Sequence, residues 1–269
     1  ILQLPNEDLS FKLSGNYLVI VFRGYDEEDV VLTKRFMITE AIVSIDGKAG
    51  IPELNRYRGC CQEVDFTVNH SNFRINDPYS ETKVFIYQNG IWDLNISGLQ
   101  PRYVNAGQLI YDYAEENIFQ GGNEFRLFDT KNTRIPTYYI QSIDYVPPYF
   151  HFTLKPDEPN KAHLYFSRDD MNGRFFIESE TASDPAVDAD YVFVHFQLNM
   201  PFPMSRGSVF IAGALTNWQF SEETRMEYDT GKGAYRQTLL LKQGVYNYRY
   251  VFLPENADSF DISAIEGSP

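Results

Sequence analysis

The sequence predicts an all-β protein of tandem immunoglobulin-like β-sandwich domains. Apolar and polar residues alternate with a period of two, which is typical of half-buried strands. Aromatic residues make up 16% of the 269 residues, a content that favours pleated sheets. Turn signals such as Asn89-Gly90 and Gly121-Gly122-Asn123 separate the apolar runs. No window keeps the 3.6-residue period of a helix over three turns, so we expect under about 10% helix.

The chain begins with two predicted strands, at residues 16–22 and 35–39. Two strands alone are marginally stable in water. We therefore expect residues 1–42 to be the trailing strands of an incomplete N-terminal immunoglobulin-like domain. The C-terminus stops soon after a loop, where a sandwich would need another strand. The chain is accordingly predicted to be a fragment truncated at both ends.

Residues 43–178 are predicted to form a central β-sandwich domain. The clearest alternation lies at 62–70, where Val64, Phe66 and Val68 share one face of a strand. Residues 155–161 read K-P-D-E-P-N-K and form a proline-rich polar break. The other strands predicted in this region are 41–45, 83–88, 109–113, 124–128, 138–145, 149–154 and 174–178.

Residues 179–190 read S-E-T-A-S-D-P-A-V-D-A-D and can bury almost nothing, so they are predicted to be an exposed acidic linker. Residues 191–269 follow as a last immunoglobulin-like domain, which we expect to pack its own core over 191–252. Its predicted strands are 191–198, 208–212, 234–241 and 245–252. The last strand is predicted to be half-buried, with its aromatic face inward and Asn247 and Arg249 outward; the inward residues are Tyr246, Tyr248, Tyr250 and Phe252.

The charge of the chain excludes some classes of partner. The formal net charge is −14, which repels phosphate backbones and anionic lipids, so nucleic acid and direct membrane binding are not expected. No stretch approaches the ~18 apolar residues of a membrane span. The chain opens at Ile1 without the basic and apolar segments of a signal peptide.

The two cysteines, Cys60 and Cys61, are neighbours in the sequence. On a strand they would point to opposite faces, and a bridge between adjacent residues is strained. We expect two inert thiols, at least one of them buried, with a redox or metal role as the alternative.

No catalytic constellation is visible. The sequence lacks the nucleophile-elbow, phosphate-loop, dinucleotide and zinc-protease motifs. The loop 169–173 lacks the register of a calcium site. A carboxylate pair of the glycosidase type leaves no sequence signature and stays open. We predict no enzyme, with no catalytic residues, metal or cofactor. No two of the histidines have metal-ligand spacing; they are His70, His151, His163 and His195.

The C-terminal region carries a more specific pattern. Residues 209–218 read V-F-I-A-G-A-L-T-N-W, and residues 244–250 read G-V-Y-N-Y-R-Y. This resembles the early-set immunoglobulin-like modules of the isoamylase and glycogen-binding family. In glycogen-binding members a sugar stacks on the turn tryptophan, matched by Trp218, beside a basic residue, matched by Arg249. Their second tryptophan has no counterpart at 253–260. The resemblance implies a glycan platform made of Trp218 and Arg249.

A longer series of blocks runs through nearly the whole chain. It includes L-S-G-N-Y-L-V at 13–19, Q-E-V-D-F-T-V-N-H at 62–70, F-Q-G-G-N-E-F-R at 119–126 and K-P-D-E-P at 155–159. The order and spacing of these blocks are similar to those of the plug protein family of the type IX secretion system, formerly a domain of unknown function in Bacteroidota. The resemblance implies a periplasmic, outer-membrane-associated protein that closes the periplasmic mouth of a β-barrel translocon. It implies no catalytic residues.

Two main hypotheses therefore remain at the level of sequence. The first is a non-enzymatic plug or scaffold whose partner is the outer-membrane β-barrel translocon. The alternative is a carbohydrate-binding envelope protein that uses Trp218 and Arg249. A plug needs a broad patch for a protein partner, whereas a glycan binder needs a tryptophan-lined groove. A glycosidase and another kind of interaction module are further possibilities.

Overall fold

The structure, a computed structural model, describes residues 3–92, 94–160, 169–257 and 260–267. It confirms the all-β prediction, with 43% strand and 7% helix. The α-helices of the described residues are each four residues long, namely α1 (Pro78–Glu81), α2 (Pro185–Asp188) and α3 (Ser263–Glu266). The described part of the chain contains no helix with the length and apolar character that a membrane span requires. His163 lies outside the described residues.

Strands are the main regular secondary structure of the described residues. The described strands are β1 (Gly15–Phe22), β2 (Val30–Ile38), β3 (Ser44–Gly50), β4 (Cys61–Asn69), β5 (Phe85–Tyr87), β6 (Asn95–Ser97), β7 (Tyr103–Asn105), β8 (Gln108–Tyr111), β9 (Ile118–Gln120), β10 (Arg126–Asp129), β11 (Ile140–Val146), β12 (Tyr149–Leu154), β13 (Phe175–Ile177), β14 (Tyr191–Asn199), β15 (Gly207–Ala212), β16 (Glu227–Asp229), β17 (Ala234–Lys242) and β18 (Gly244–Pro254).

The chain divides into two compact units. The first comprises residues 1–48, 66–83 and 100–112, and the second comprises residues 49–65, 84–99 and 113–269. Both units are therefore assembled from segments that are not contiguous in sequence.

The first unit contains the antiparallel hairpin β1–β2, whose residues are mostly exposed. Phe11, Tyr17 and Phe36 pack together on it, with ring centroids 5.2–5.5 Å apart. The second half of β4 pairs with β8, which pairs with β7. Phe66 on β4 stacks on Tyr111 of β8 at 4.5 Å, and both are buried. Phe66 and Val68 are thus buried on one face, as the alternation predicts.

The second unit is built around a β-sandwich. One sheet has the strand order β11-β12-β14-β17-β16, and the other has the order β10-β18-β13, with β15 also paired to β18. β12 and β14 are parallel, and the other pairs are antiparallel. The two sheets share one core. Phe196 on β14 meets Phe128 of β10 edge to face at 5.6 Å and Tyr248 of β18 at 5.3 Å.

The structure confirms the prediction for one face of the strand β18 and contradicts it for the other. Tyr246, Tyr248 and Tyr250 are buried, and Phe252 is half-buried, so the aromatic face points inward. The opposite face was expected to be exposed, and that is wrong, since Asn247 is 0% and Arg249 7% exposed. The loop 169–174 covers that face, and the backbone N–H of Met171 donates to Asn247 Oδ1 at 2.5 Å. Alternation sets the register of a strand but does not reveal whether its polar face is covered.

Residues 191–252 do not pack a core of their own, contrary to expectation. β14 pairs with β12, and β18 pairs with β10 and β13, so residues 126–177 supply strands to the same sandwich. The acidic stretch 179–190 is mostly exposed, as predicted, and connects β13 to β14 within this sandwich. The division into 1–42, 43–178, 179–190 and 191–269 and the early-set assignment otherwise stay predictions.

Candidate functional site

The outer face of the five-stranded sheet is the first candidate. Val192, Val194 and Phe196 on β14 point into the core, so the residues between them point away from it. We call this surface the outer sheet face. It is formed by Val146, Tyr149, His151, Tyr191, Phe193, His195, Thr238 and Leu240.

The outer sheet face is aromatic and accessible. Tyr191 is 52% and Leu240 46% exposed, and Val146 and Tyr149 are also exposed. Tyr149 meets Phe193 edge to face, with centroids 5.2 Å apart. Contiguous exposed apolar area of this kind is typical of protein-binding surfaces.

Two histidines lie at the centre of this face. His151 Nδ1 is 2.9 Å from His195 Nε2, and His195 Nδ1 is 2.8 Å from Thr238 Oγ1. Burial lowers the pKa of His195, and the neighbouring His151 and Arg236 lower it further, while Asp144 opposes them. One of these two ring nitrogens donates and the other accepts, so the accepting imidazole is neutral in this hydrogen bond. Within the described residues, no group of three or more His, Cys, Asp or Glu side chains could hold a metal ion.

The predicted glycan residues, Trp218 and Arg249, are brought together around one ring. Trp218 meets Phe125 edge to face at 5.9 Å, and the Arg249 guanidinium lies 3.4 Å from the Phe125 centroid. Gly173 lies against both rings, since a Cβ there would be 2.6 Å from Trp218 and 2.7 Å from Phe125. Trp218 is half-buried and packs its turn onto the sandwich.

Arg249 is a buried cation with few partners. It is 7% exposed, and its Nε has no hydrogen-bond partner. Burial lowers the pKa of its guanidinium to about 10, against the opposing charges of Glu266, Asp170 and Glu124. A guanidinium in this position has little freedom to donate to a sugar, so the glycan platform stays a prediction that the geometry does not favour.

A polar cavity of about 420 Å³ lies next to Arg249. Trp218 is not among its lining residues, so this cavity is not the tryptophan-lined groove that a glycan binder needs. Its lining includes Cys61, Gln120, Gly121 and Arg249.

A buried ionic network was missed by the sequence reasoning. Arg126 Nη1 donates to Asp157 at 2.6 Å, and its Nε donates to Glu266 at 3.0 Å. Asp157 also accepts hydrogen bonds of 2.7 Å from the hydroxyls of Tyr248 and Tyr250, and it is 1% exposed. Burial and the Asp157 charge raise the pKa of both tyrosines. The network holds α3 against the sandwich, which is a structural role.

The two cysteines lie at the junction of a turn and a strand. Cys60 ends the turn and Cys61 begins β4. Their sulfur atoms are 2.7 Å apart, and both residues are half-buried. The expectation that the two side chains point to opposite faces is therefore wrong, because the pair is not wholly within a strand.

Comparison with known proteins finds similarity to a family model over a short segment and to a solved structure over nearly the whole chain. Residues 1–40 match the family model described as the type 9 secretion system plug protein 1st domain. A crystal structure of a hypothetical protein from Parabacteroides merdae ATCC 43184 superposes with a TM-score of 0.91 at 33% sequence identity, over 98% of this chain. The chain spans 66% of the length of that protein's chain. No curated protein shows significant similarity.

Proposed function

We propose that this protein closes the periplasmic side of the outer-membrane translocon while no substrate passes. Residues 1–40 match the first domain of the type 9 secretion system plug protein, which supports membership of the type IX secretion plug family. The match over residues 1–40 is the observation that carries this proposal. The protein would be periplasmic and associated with the outer membrane. It would act through a stoichiometric protein partner, without catalysis or a cofactor.

The outer sheet face supports a docking role. A plug needs a rigid body that presents apolar, aromatic area to a partner, and this face presents Tyr149, Tyr191 and Leu240 on a five-stranded sheet. An interface that holds a pore shut should bury more than about 1,000 Å². The net charge of −14 would orient the approach more than it would add affinity.

The carbohydrate-binding alternative has no specific observation in its favour. Arg249 is buried, and Trp218 packs against Phe125 and Gly173. Binding of α-glucans by the purified protein would favour this alternative.

The experiment is a deletion with complementation. The deletion strain should be leaky to molecules that fit the translocation pore, and wild-type protein should restore the barrier. The double variant Tyr149→Glu/Tyr191→Glu places two charges on the outer sheet face and should neither restore the barrier nor co-purify with the translocon in mild detergent. The control Phe202→Glu alters a residue of the same unit that is 80% exposed and lies outside that face, and it should behave as wild type.

Two results would decide against this view. If the double variant seals the membrane and co-purifies as well as wild type, the docking surface lies elsewhere. If the deletion strain is no leakier than its parent, and the purified protein binds α-glucans in a manner lost in Trp218→Ala, the carbohydrate-binding function replaces the plug.

A further inference from the structure

The turn before β4 holds two adjacent cysteines in a fixed arrangement. The backbone N–H of Cys60 donates to the carbonyl of Tyr57 at 3.2 Å, and the carbonyl of Cys60 accepts from Gly121 N–H at 2.7 Å. Cys61 is paired with Gln120 of β9. The backbone on both sides of the Cys60–Cys61 peptide is therefore anchored by hydrogen bonds.

This arrangement puts both thiols on the same side of the chain. Neighbours within a regular strand point to opposite faces, which keeps their sulfurs apart. Here the sulfurs are 2.7 Å apart, whereas a disulfide bond is about 2.05 Å long, so a shift of under about 1 Å would close the bond. Both residues are half-buried, and Cys61 lines the polar cavity beside Arg249, so a small reagent can reach them.

We propose that Cys60 and Cys61 are a redox modification site that closes reversibly into a vicinal disulfide, an eight-membered ring, by exchange with a protein or small-molecule disulfide. One thiol, as its thiolate, attacks the disulfide of the oxidant and releases one oxidant thiolate. The second thiol then loses its proton and displaces the remaining oxidant thiolate. The two cysteines lose two electrons and two protons, and the oxidant disulfide becomes two thiols.

The reduced pair is expected to react slowly at neutral pH. Burial raises the pKa of Cys61 to about 11, and the hydrogen bond and charge of Cys60 contribute further. Since thiolates are the reacting species, exchange should accelerate as the pH rises. The occurrence of the disulfide in the cell rests on the proposed periplasmic location, where disulfides persist. The chemistry itself does not depend on that location.

The test is a redox titration of the purified full-length protein. The protein is equilibrated in glutathione buffers with an increasing share of glutathione disulfide and precipitated with acid, which stops exchange and removes the glutathione. The precipitate is dissolved in urea at about pH 8 with iodoacetamide present, and the intact mass is measured by mass spectrometry. We expect the alkylated protein to be replaced by a species that carries neither an alkyl group nor glutathione. Its mass should be two hydrogens below that of the reduced, unalkylated protein. Both thiols staying open to alkylation over the whole range, or glutathione attached to both, would overturn the proposal.

The same titration in urea measures the contribution of the fold. Ring closure should be at least about tenfold more favourable in the native protein than in the unfolded chain, because the fold brings the sulfurs together. Equal equilibrium constants for ring closure in the native and unfolded protein would show that the fold does not favour the disulfide. Cys60→Ser and Cys61→Ser should each take up one glutathione and form no ring. These readouts do not involve secretion, so a negative result leaves the plug function standing, and the failure of the plug function leaves the chemistry standing.

Discussion

Two arginines are buried in the sandwich unit, and they differ in whether carboxylates bind the guanidinium directly. Arg126 faces the carboxylates of Asp157 and Glu266 at hydrogen-bond distance. Burial opposes its charge, but Glu266 and Asp157 overcome this effect and raise the pKa of the guanidinium. Among the described residues Arg249 has no ion pair of this kind, and burial lowers the pKa of its guanidinium to about 10. The two side chains therefore contribute differently to stability.

Substituting each arginine with methionine should separate these contributions. Arg126→Met leaves Asp157 and Glu266 as buried, unpaired carboxylates, so it should lower the free energy of unfolding by at least about 3 kcal/mol. Arg249→Met keeps an unbranched apolar side chain beside Phe125 and removes a desolvated charge, so the free energy of unfolding should change by less than about 1 kcal/mol or rise. Urea denaturation at pH 7 measures both. Equal losses in the two variants would contradict this assignment.

The histidine pair should make stability depend on pH. The pKa of His195 is lowered in the native state. Between about pH 6.5 and that lower pKa, the unfolded chain binds a proton that the native protein does not, so the free energy of unfolding falls as the pH decreases. His195→Gln should flatten the fall between pH 7.5 and pH 5.5 in urea denaturation.

The matched control for this prediction is His70→Gln in the other unit, where His70 Nδ1 lies 3.0 Å from the carbonyl oxygen of Phe73. It should keep the wild-type slope. An unchanged slope in the His195→Gln protein would contradict the assignment of this pH dependence to His195.

At the scale of elements, β18 organises the sandwich unit. It pairs with β10, β13 and β15 and carries the tyrosines of the core. Its first residue, Gly244, lies where β13 passes close by, and an added Cβ would overlap the carbonyl oxygen of Phe176. Since that neighbour is a backbone atom in a paired strand, it cannot move aside cheaply.

Gly244→Ala should therefore destabilise the protein by at least about 2 kcal/mol, through displacement of β13 from β18. Gly59→Ala is the control, because an added Cβ at Gly59 meets nothing within 4 Å, and its free energy of unfolding should stay near that of wild type. Thermal or urea denaturation measures both changes. A tolerated Gly244→Ala would mean that the strands separate more easily than their packing suggests.

Local patterns were sufficient to predict most strands of the second unit. The predicted strands 191–198 and 234–241 nearly coincide with β14 (Tyr191–Asn199) and β17 (Ala234–Lys242). The alternation of apolar and polar residues that predicts them is a property of neighbouring positions in the sequence. The parallel pairing of β12 with β14 is a contact between distant segments and leaves no local signal. Asp157 was assigned to a polar break because K-P-D-E-P looks solvated, and its burial depends on Arg126, 31 residues away.

The candidate sites also depend on contacts between distant segments, which the local sequence does not reveal. Trp218 and Arg249 were singled out together, and the structure does bring them to one ring, but their packing role depends on Phe125 and Gly173. The outer sheet face could not be recognised because it combines β11, β12, β14 and β17, whose order in the sheet is set by tertiary contacts. The adjacent cysteines are evident in the sequence. The directions of their side chains depend on where the turn ends and β4 begins, which the sequence does not show.

At the scale of the whole molecule, the sandwich is assembled across the acidic stretch 179–190. Strands on both sides of that stretch fill one core, in which Phe128, Phe152 and Leu154 pack with Phe196 and Tyr248. Arg126 also reaches across it to Glu266 near the C-terminus. The smallest contiguous segment that keeps all strands of the two sandwich sheets therefore begins before β10.

Two fragments test this organisation. The fragment 113–269 retains β10 to β18 and should unfold cooperatively in urea, with a near-ultraviolet circular dichroism signal from its packed aromatic residues. The fragment 191–269 loses β10, β12 and β13, which leaves β18 and β14 without those partners and the core open on one side, so it should show no cooperative transition. A cooperative transition of 191–269 with the same midpoint as 113–269 would restore the original prediction of an autonomous C-terminal domain. The expected result instead means that the outer sheet face, the proposed docking surface, forms only when residues from both sides of the acidic connector are present.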